Sequence, residues 1–77
     1  MNGRWLVVVD VAPAAVRDAV DRILRNQGFI EVLPCIYRSH WLDPEPSRLR
    51  RTLGRARRRG VGRIGVARLD SYGLVLV

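Results

Sequence analysis

The sequence of 77 residues predicts one α+β domain, in which two helices cover one face of an antiparallel sheet. Three observations favour this class: an apolar run near the start, two segments with apolar residues at helical spacing, and an alternating segment after the second of them. A domain this small buries only about 60% of its unfolded surface, so we expect a second subunit to add stability.

The first strand is predicted at residues 5–9, a continuous apolar run typical of a central strand or one covered on both faces. Asp10 is expected to end it, Pro13 suits the first turn of a helix, and Gly28 can close that helix. The predicted sheet-facing arc of this first helix comprises Val16, Ala19, Val20, Ile23, Leu24 and Gln27.

The polar side of the first helix carries charges that can cancel locally. Asp18 with Arg22 and Asp21 with Arg25 are spaced four residues apart, with the acid first, which is the favourable order. We expect both ion pairs to form.

A bent strand pair is predicted at residues 29–38. Pro34 interrupts this extended segment and cannot donate to a strand ladder, which indicates a kink or bulge between two strands. Cys35, which follows it, is the only cysteine, so no internal disulfide can form.

The second helix is expected to follow residues 42–47, with Ser47 as a capping candidate, and to stop near Gly60. Its apolar side is formed by Leu49, Leu53 and Ala56. Residues 62–69 then alternate as a strand, and Tyr72-Gly73 is expected to turn the chain into a short final strand.

The order β, α, β, β, α, β, β fits a ferredoxin-like sandwich. The second face of its sheet would remain uncovered, and valine and leucine there would form an adhesive patch. Dimerisation through that face or an edge is the simplest remedy.

Positive charge is concentrated in residues 44–60, which hold seven arginines against Glu45. The preceding residues balance five arginines with five acids, so the net charge of +7 has a local origin. A solvated face in an arginine-rich protein is the simpler interpretation, but the neutral first helix favours a polyanion-binding surface. The residues that a helical wheel places on one arc are Arg48, Arg51, Arg55, Arg58 and Arg59.

Binding by these side chains would be independent of base sequence and strongly salt-dependent. The aromatic residues are not interleaved with the arginines, which argues against a stacking platform for single strands and favours duplex DNA, with RNA as a further partner. The absence of a long apolar stretch or signal peptide predicts a cytoplasmic protein with no membrane partner.

Asp10 has two interpretations. It can cap the turn before Pro13, or it can act as an oxygen ligand for a metal. One carboxylate makes a poor Mg²⁺ site, but two brought together by a dimer axis, with a substrate phosphate, would suffice for catalysis. His40 is a secondary candidate for a general base, although an exposed loop histidine is the simpler interpretation.

The sequence resembles the small CRISPR-associated protein of the second core type, here called the Cas-two family. The likeness extends over residues 5–77 and rests on the apolar strand ending in Asp10, the helix closing at Gly28, and three further segments. These segments are Val32-Leu33-Pro34-Cys35-Ile36-Tyr37-Arg38, Leu42-Asp43-Pro44-Glu45 with the arginine helix, and Arg63-Ile64-Gly65-Val66-Ala67-Arg68-Leu69.

The resemblance implies a ferredoxin-like homodimer with Asp10 of both subunits flanking a metal ion, and a role in spacer acquisition. In that role a central dimer bridges integrase subunits and holds a duplex. Three positions depart from the family pattern: Val9 replaces a frequent aromatic residue, Cys35 replaces serine, and Arg38 replaces an acid. These three departures weaken the expectation of nuclease activity more than the expectation of the fold or of nucleic-acid binding.

Two other functions remain open from the sequence. One is a toxin-like ribonuclease of the same fold that uses Asp10 or His40, and the other is a nucleic-acid-binding or oligomerisation module without chemistry. Cys35 is expected to be a small buried residue rather than a nucleophile.

Overall fold

The computed structural model describes residues 4–39 and 46–69. They form an α+β fold of two helices and a four-stranded antiparallel sheet, in agreement with the predicted class. The predicted final strand lies outside the described residues. The elements are β1 (Arg4–Ala12), α1 (Ala14–Asn26), β2 (Phe29–Leu33), β3 (Ile36–Ser39), α2 (Pro46–Arg57) and β4 (Val61–Leu69).

The strand order in the sheet is β2-β3-β1-β4. The first strand is therefore central, as its unbroken apolar run predicts, with Val7 opposite Tyr37 of β3 on one side and opposite Val66 of β4 on the other. All three strand pairs are antiparallel.

Both helices pack on the same face of this sheet. Successive side chains of a strand point to opposite faces, and every second residue of β1, namely Val7, Val9 and Val11, is buried in one cluster with residues of both helices. The other members of the cluster are Val16, Val20 and Leu24 of α1, Phe29 of β2, Tyr37 of β3, and Leu49 and Leu53 of α2.

The prediction that Asp10 ends the first strand is wrong, because β1 continues for two residues beyond it. Val11 lies opposite Gly62 and Ala12 lies opposite Val61, so β4 continues to pair with this segment. Val11 is also buried in the core, and its burial favours the longer strand. Asp10 consequently lies within the sheet rather than in a turn.

The two predicted helix ends have different outcomes. Gly28 has φ of 85° just after α1, which confirms it as the residue that closes the helix. The second helix begins at Pro46, so Ser47 lies inside the first turn rather than at the cap. It ends at Arg57, and Arg58 and Arg59 lie in the following turn.

The predicted bent strand pair is confirmed. Pro34 and Cys35 form the turn between β2 and β3, and a register shift occurs between Glu31 and Leu33. Cys35 has φ of 63°, an unusual value for a residue other than glycine.

Two glycines permit close contact between β1 and the start of β4. A Cβ atom at Gly62 would lie 2.0 Å from the carbonyl oxygen of Asp10, and one at Gly60 would lie 2.1 Å from that of Ala12. Gly62 also has φ of 113°. No other residue type fits these two positions without movement of the backbone.

The second face of the sheet bears exposed apolar side chains, and no element described by the structure covers it. Val8, Ile30 and Leu33 are each about two-fifths exposed there, and Val61 is 69% exposed. The half-buried Arg38 lies between Leu6 and Ile30 in register on this face. The structure of the single chain therefore matches the expected adhesive patch. Neither described helix is long and apolar enough to span a membrane.

Candidate nucleic-acid interface

The seven arginines of α2 and the turn after it form one continuous region, which we call the arginine surface. Leu49 and Leu53 are buried against the sheet, and their anchoring directs the remaining sides of the helix to solvent. Six of the seven arginines are exposed and Arg57 is half-buried. The members of the arginine surface are Arg48, Arg50, Arg51, Arg55, Arg57, Arg58 and Arg59.

Arg58 and Arg59 keep nearly helical positions although α2 formally ends before them. The backbone N–H of Arg58 donates to the carbonyl of Gly54 at 3.2 Å, which is the i to i−4 pattern of an α-helix. Arg59 donates to the carbonyl of Ala56, three residues back. The five arginines therefore keep the predicted arc, although α2 ends at Arg57 and not near Gly60 as expected.

No carboxylate of the described residues neutralises the arginine surface. The ion pairs among those residues join Arg25 to Asp21 at 2.9 Å and Arg25 to Glu31 at 3.3 Å, on the side of the molecule formed by α1 and β2. Like charges spaced four residues apart on a helix repel, and this applies to Arg51 with Arg55. A bound polyanion would relieve that repulsion.

The structure divides the arginine surface into two flanks that the helical wheel could not identify. Arg55 and Arg59 line a groove of about 550 Å³ between α1 and α2, whose walls include Ala19, Ile23 and Ala56. Arg50 and Arg57 border a smaller depression between α2 and β4.

The guanidinium of Arg57 is held in place at the second flank. Its Nη1 donates to the carbonyl oxygen of Gly62 at 3.3 Å, which ties the end of α2 to the start of β4. Nothing in the residue pattern of the sequence predicts this contact, because it depends on the turn geometry at Gly60.

The predicted metal ligand, Asp10, is exposed on the uncovered face of the sheet. Its partner across the strands is Arg63, and side chains directly opposite each other in antiparallel strands lie about 5 Å apart at Cβ. Among the described residues, no three His, Cys, Asp or Glu side chains gather as a metal site. The described residues of one chain do not fit Mg²⁺, which requires several oxygen ligands.

Cys35 is half-buried against the core, so the prediction of a buried residue is confirmed only in part. Its N–H donates to Oε2 of Glu31 at 2.8 Å, and its carbonyl accepts from the N–H of Val9 at the same distance. These contacts hold the hairpin turn against β1. His40 lies outside the described residues.

A second polar cluster joins α1 to the sheet, and the sequence pattern predicts only part of it. The hydroxyl of Tyr37 on β3 donates to Oδ1 of Asp21 on α1, and the same carboxylate accepts from Nε of Arg25. Two hydrogen bonds lower the pKa of Asp21: the one from Tyr37 has the larger effect, and the one from Arg25 has the smaller. The pKa of Tyr37 is raised mainly by burial of its hydroxyl, and the hydrogen bond to Asp21 raises it further.

Only the helical part of this cluster is predictable. The spacing of Asp21 and Arg25 predicts their ion pair, which is confirmed, whereas Asp18 and Arg22 form no ion pair among the described residues and that prediction is wrong. Tyr37 of β3 and Glu31 of β2 fix the first pair from across the fold. The cluster is structural and does not touch the arginine surface.

A comparison of the chain with protein-family models, with characterised proteins and with solved structures gives no match.

Proposed function

We propose that this protein is a Cas-two-like subunit of CRISPR spacer acquisition, a homodimer that holds duplex DNA on its arginine surface. One observation carries the proposal: seven arginines lie within twelve residues, and no described carboxylate pairs with them. Sugar-phosphate chains are the polyanions that such a surface binds independently of sequence.

The ferredoxin-like fold is part of this proposal. The four antiparallel strands and the two helices on one face are compatible with it, and the chain resembles the Cas-two family over the same elements. In that family a central dimer bridges integrase subunits, so we propose an integrase as the protein partner.

The homodimer is supported by the uncovered face of the sheet. Val8, Ile30 and Leu33 would lose their exposure in a dimer formed through this face.

Catalysis would depend entirely on the dimer. A magnesium-dependent endonuclease, cutting DNA or RNA, would need Asp10 from both subunits together with substrate phosphate, because residues 4–39 and 46–69 of one chain place no second carboxylate with Asp10 in a metal site. The cationic side chain opposite Asp10 instead favours a second candidate, a DNA-holding subunit without chemistry of its own.

The testing experiment is an electrophoretic mobility-shift series with blunt duplex DNA, single-stranded DNA and RNA at several salt concentrations. If each subunit of the homodimer neutralises about four to six phosphates, log K for duplex falls with log salt at a slope of about −7 to −11, at about −0.9 per phosphate. Failure to bind duplex, or binding that does not respond to salt, would overturn the proposal.

A further inference from the structure

The depression between α2 and β4 is small and has a mixed lining. Its volume is about 220 Å³, below the roughly 300–1,000 Å³ of pockets that hold a whole small-molecule ligand. It therefore admits a single ring-sized group. The lining residues are Arg50, Leu53, Gly54, Arg57, Ile64 and Val66.

The lining combines an apolar floor with two cations. Leu53, Ile64 and Val66 supply aliphatic surface, and Arg50 and Arg57 supply guanidinium groups. Arg57 is already positioned by its hydrogen bond to the carbonyl of Gly62. Guanidinium groups bind phosphate oxygens through paired N–H donors and also stack on planar rings.

Gly54 is a second, independent observation at the same place. Glycine is a poor residue for the interior of a helix, yet Gly54 lies within α2. A Cβ atom there would meet no atom within 4 Å, so packing does not require glycine. What the missing side chain does provide is free space at the opening of the depression.

We propose that this depression is a nucleotide pocket, which receives one unstacked nucleotide with its base on the apolar floor and its phosphate at Arg50 and Arg57. The inference deepens the proposed function and rests on it. Unpaired bases expose flat faces that proteins hold against apolar side chains and guanidinium planes. The nucleotide can come from the unpaired end of a strand bound to the arginine surface, or it can be free in solution.

The full-length protein is tested for binding to a blunt duplex and to matched duplexes with one unpaired nucleotide at the 3′ or 5′ end. We expect about tenfold tighter binding of an overhang duplex, which corresponds to about 1.4 kcal/mol. Gly54→Leu fills the nucleotide pocket without changing charge and should abolish this preference while keeping the blunt-duplex affinity. Thr52→Leu adds the same side chain on the other flank of α2 and should retain it.

A parallel titration with adenosine monophosphate, followed through the amide NMR signals of Gly54, Arg57 and Ile64, distinguishes the two sources. Saturable shifts without overhang preference would support a free nucleotide, and overhang preference would support a strand end. If circular dichroism shows that Gly54→Leu does not fold, the double variant Arg50→Gln with Arg57→Gln replaces it. This variant should likewise lose the overhang preference and the NMR shifts caused by the mononucleotide.

Three further results overturn the inference in different ways. Equal binding of blunt and overhang duplexes, with no shifts from the mononucleotide, would remove the nucleotide pocket and leave the proposed function intact. If Gly54→Leu still prefers the overhang duplex, the assignment of the nucleotide pocket is also wrong. Absence of any duplex binding would remove the proposed function and this inference together.

Discussion

The hydroxyl of Tyr37 donates a hydrogen bond of 2.5 Å to Oδ1 of Asp21, and this bond ties the sheet to α1. Asp21 also accepts from Arg25, which reaches Glu31 on β2. The Asp21 carboxylate therefore links α1 directly to β3, and Arg25 extends the connection from α1 to β2.

Replacing Tyr37 by phenylalanine tests this link. Tyr37→Phe keeps the buried ring but removes the donor, so the free energy of unfolding should fall by about 1 kcal/mol in urea denaturation. Asp18→Asn is the control, because Asp18 is exposed and forms no ion pair among the described residues, and its effect should stay within about 0.5 kcal/mol. Equal effects of the two substitutions would contradict the assignment.

Asp21 should also make stability depend on acid pH. Its pKa is lowered in the folded chain by the bond from Tyr37 and then by that from Arg25, so the unfolded chain binds a proton more readily. The stabilisation is present above the unfolded pKa of about 3.9 and is lost as pH falls through the lower, folded value. The urea midpoint measured from about pH 7 to about pH 2.5 should decline less in Asp21→Asn than in the natural chain. If the urea midpoints of the two proteins fall equally with pH, Asp21 does not cause the loss of stability in acid.

The arginine surface should determine the salt dependence of DNA binding. Replacing Arg51, Arg55 and Arg58 together by alanine should flatten the slope of log K against log salt by about 2.7 for each subunit that contacts the duplex, since each lost phosphate contact is worth about 0.9. The measurement is a duplex-binding titration at four or more salt concentrations. Arg17→Ala with Arg22→Ala, on the exposed side of α1, should cost much less per arginine. A comparable loss from the control would mean that overall charge, not this surface, governs binding.

Asp10→Asn separates chemistry from binding. Any magnesium-dependent cleavage of DNA or RNA should disappear because the ligand carboxylate is lost, whereas duplex affinity should persist or rise as a negative charge is removed. Cleavage of a labelled substrate and a shift assay on the same preparation measure the two effects. Unchanged cleavage by the purified variant would exclude Asp10 as the metal ligand.

The uncovered face of the sheet should form the dimer interface. Val8 is 42% exposed in the single chain, so Val8→Asp should leave the fold intact but place a charge in the interface and yield a monomer by light scattering. Asn26→Asp adds the same charge at an exposed helical position and should remain dimeric. If both variants have the dimer mass, another surface mediates association.

The sequence contains enough information to locate the helices and strands, because each has a distinct apolar period. The run at residues 5–9 predicts the central strand, and Pro34 predicts the break between β2 and β3, both of which the structure confirms. The residue pattern places the end of β1 too early because an acid within a strand can lie on an uncovered face. That face depends on which elements cover the sheet, and periodicity within β1 does not specify it.

The arginine surface is predictable as a charge pattern but not as a shape. Helical spacing groups Arg51, Arg55 and Arg58, and their exposure in the structure agrees. The division into flanks is not predictable, since Arg50 and Arg57 acquire their neighbours from β4, a separate element whose packing the spacing within α2 does not specify. Tyr37 and Asp21 likewise meet only through the packing of α1 on the sheet.

Gly60 and Gly62 have a consequence for protein engineering. Only a hydrogen atom fits between each of them and the carbonyl of Ala12 or Asp10, so a saturation library at either site should return glycine almost exclusively. The junction that follows the arginine surface is thereby locked onto the strand bearing Asp10.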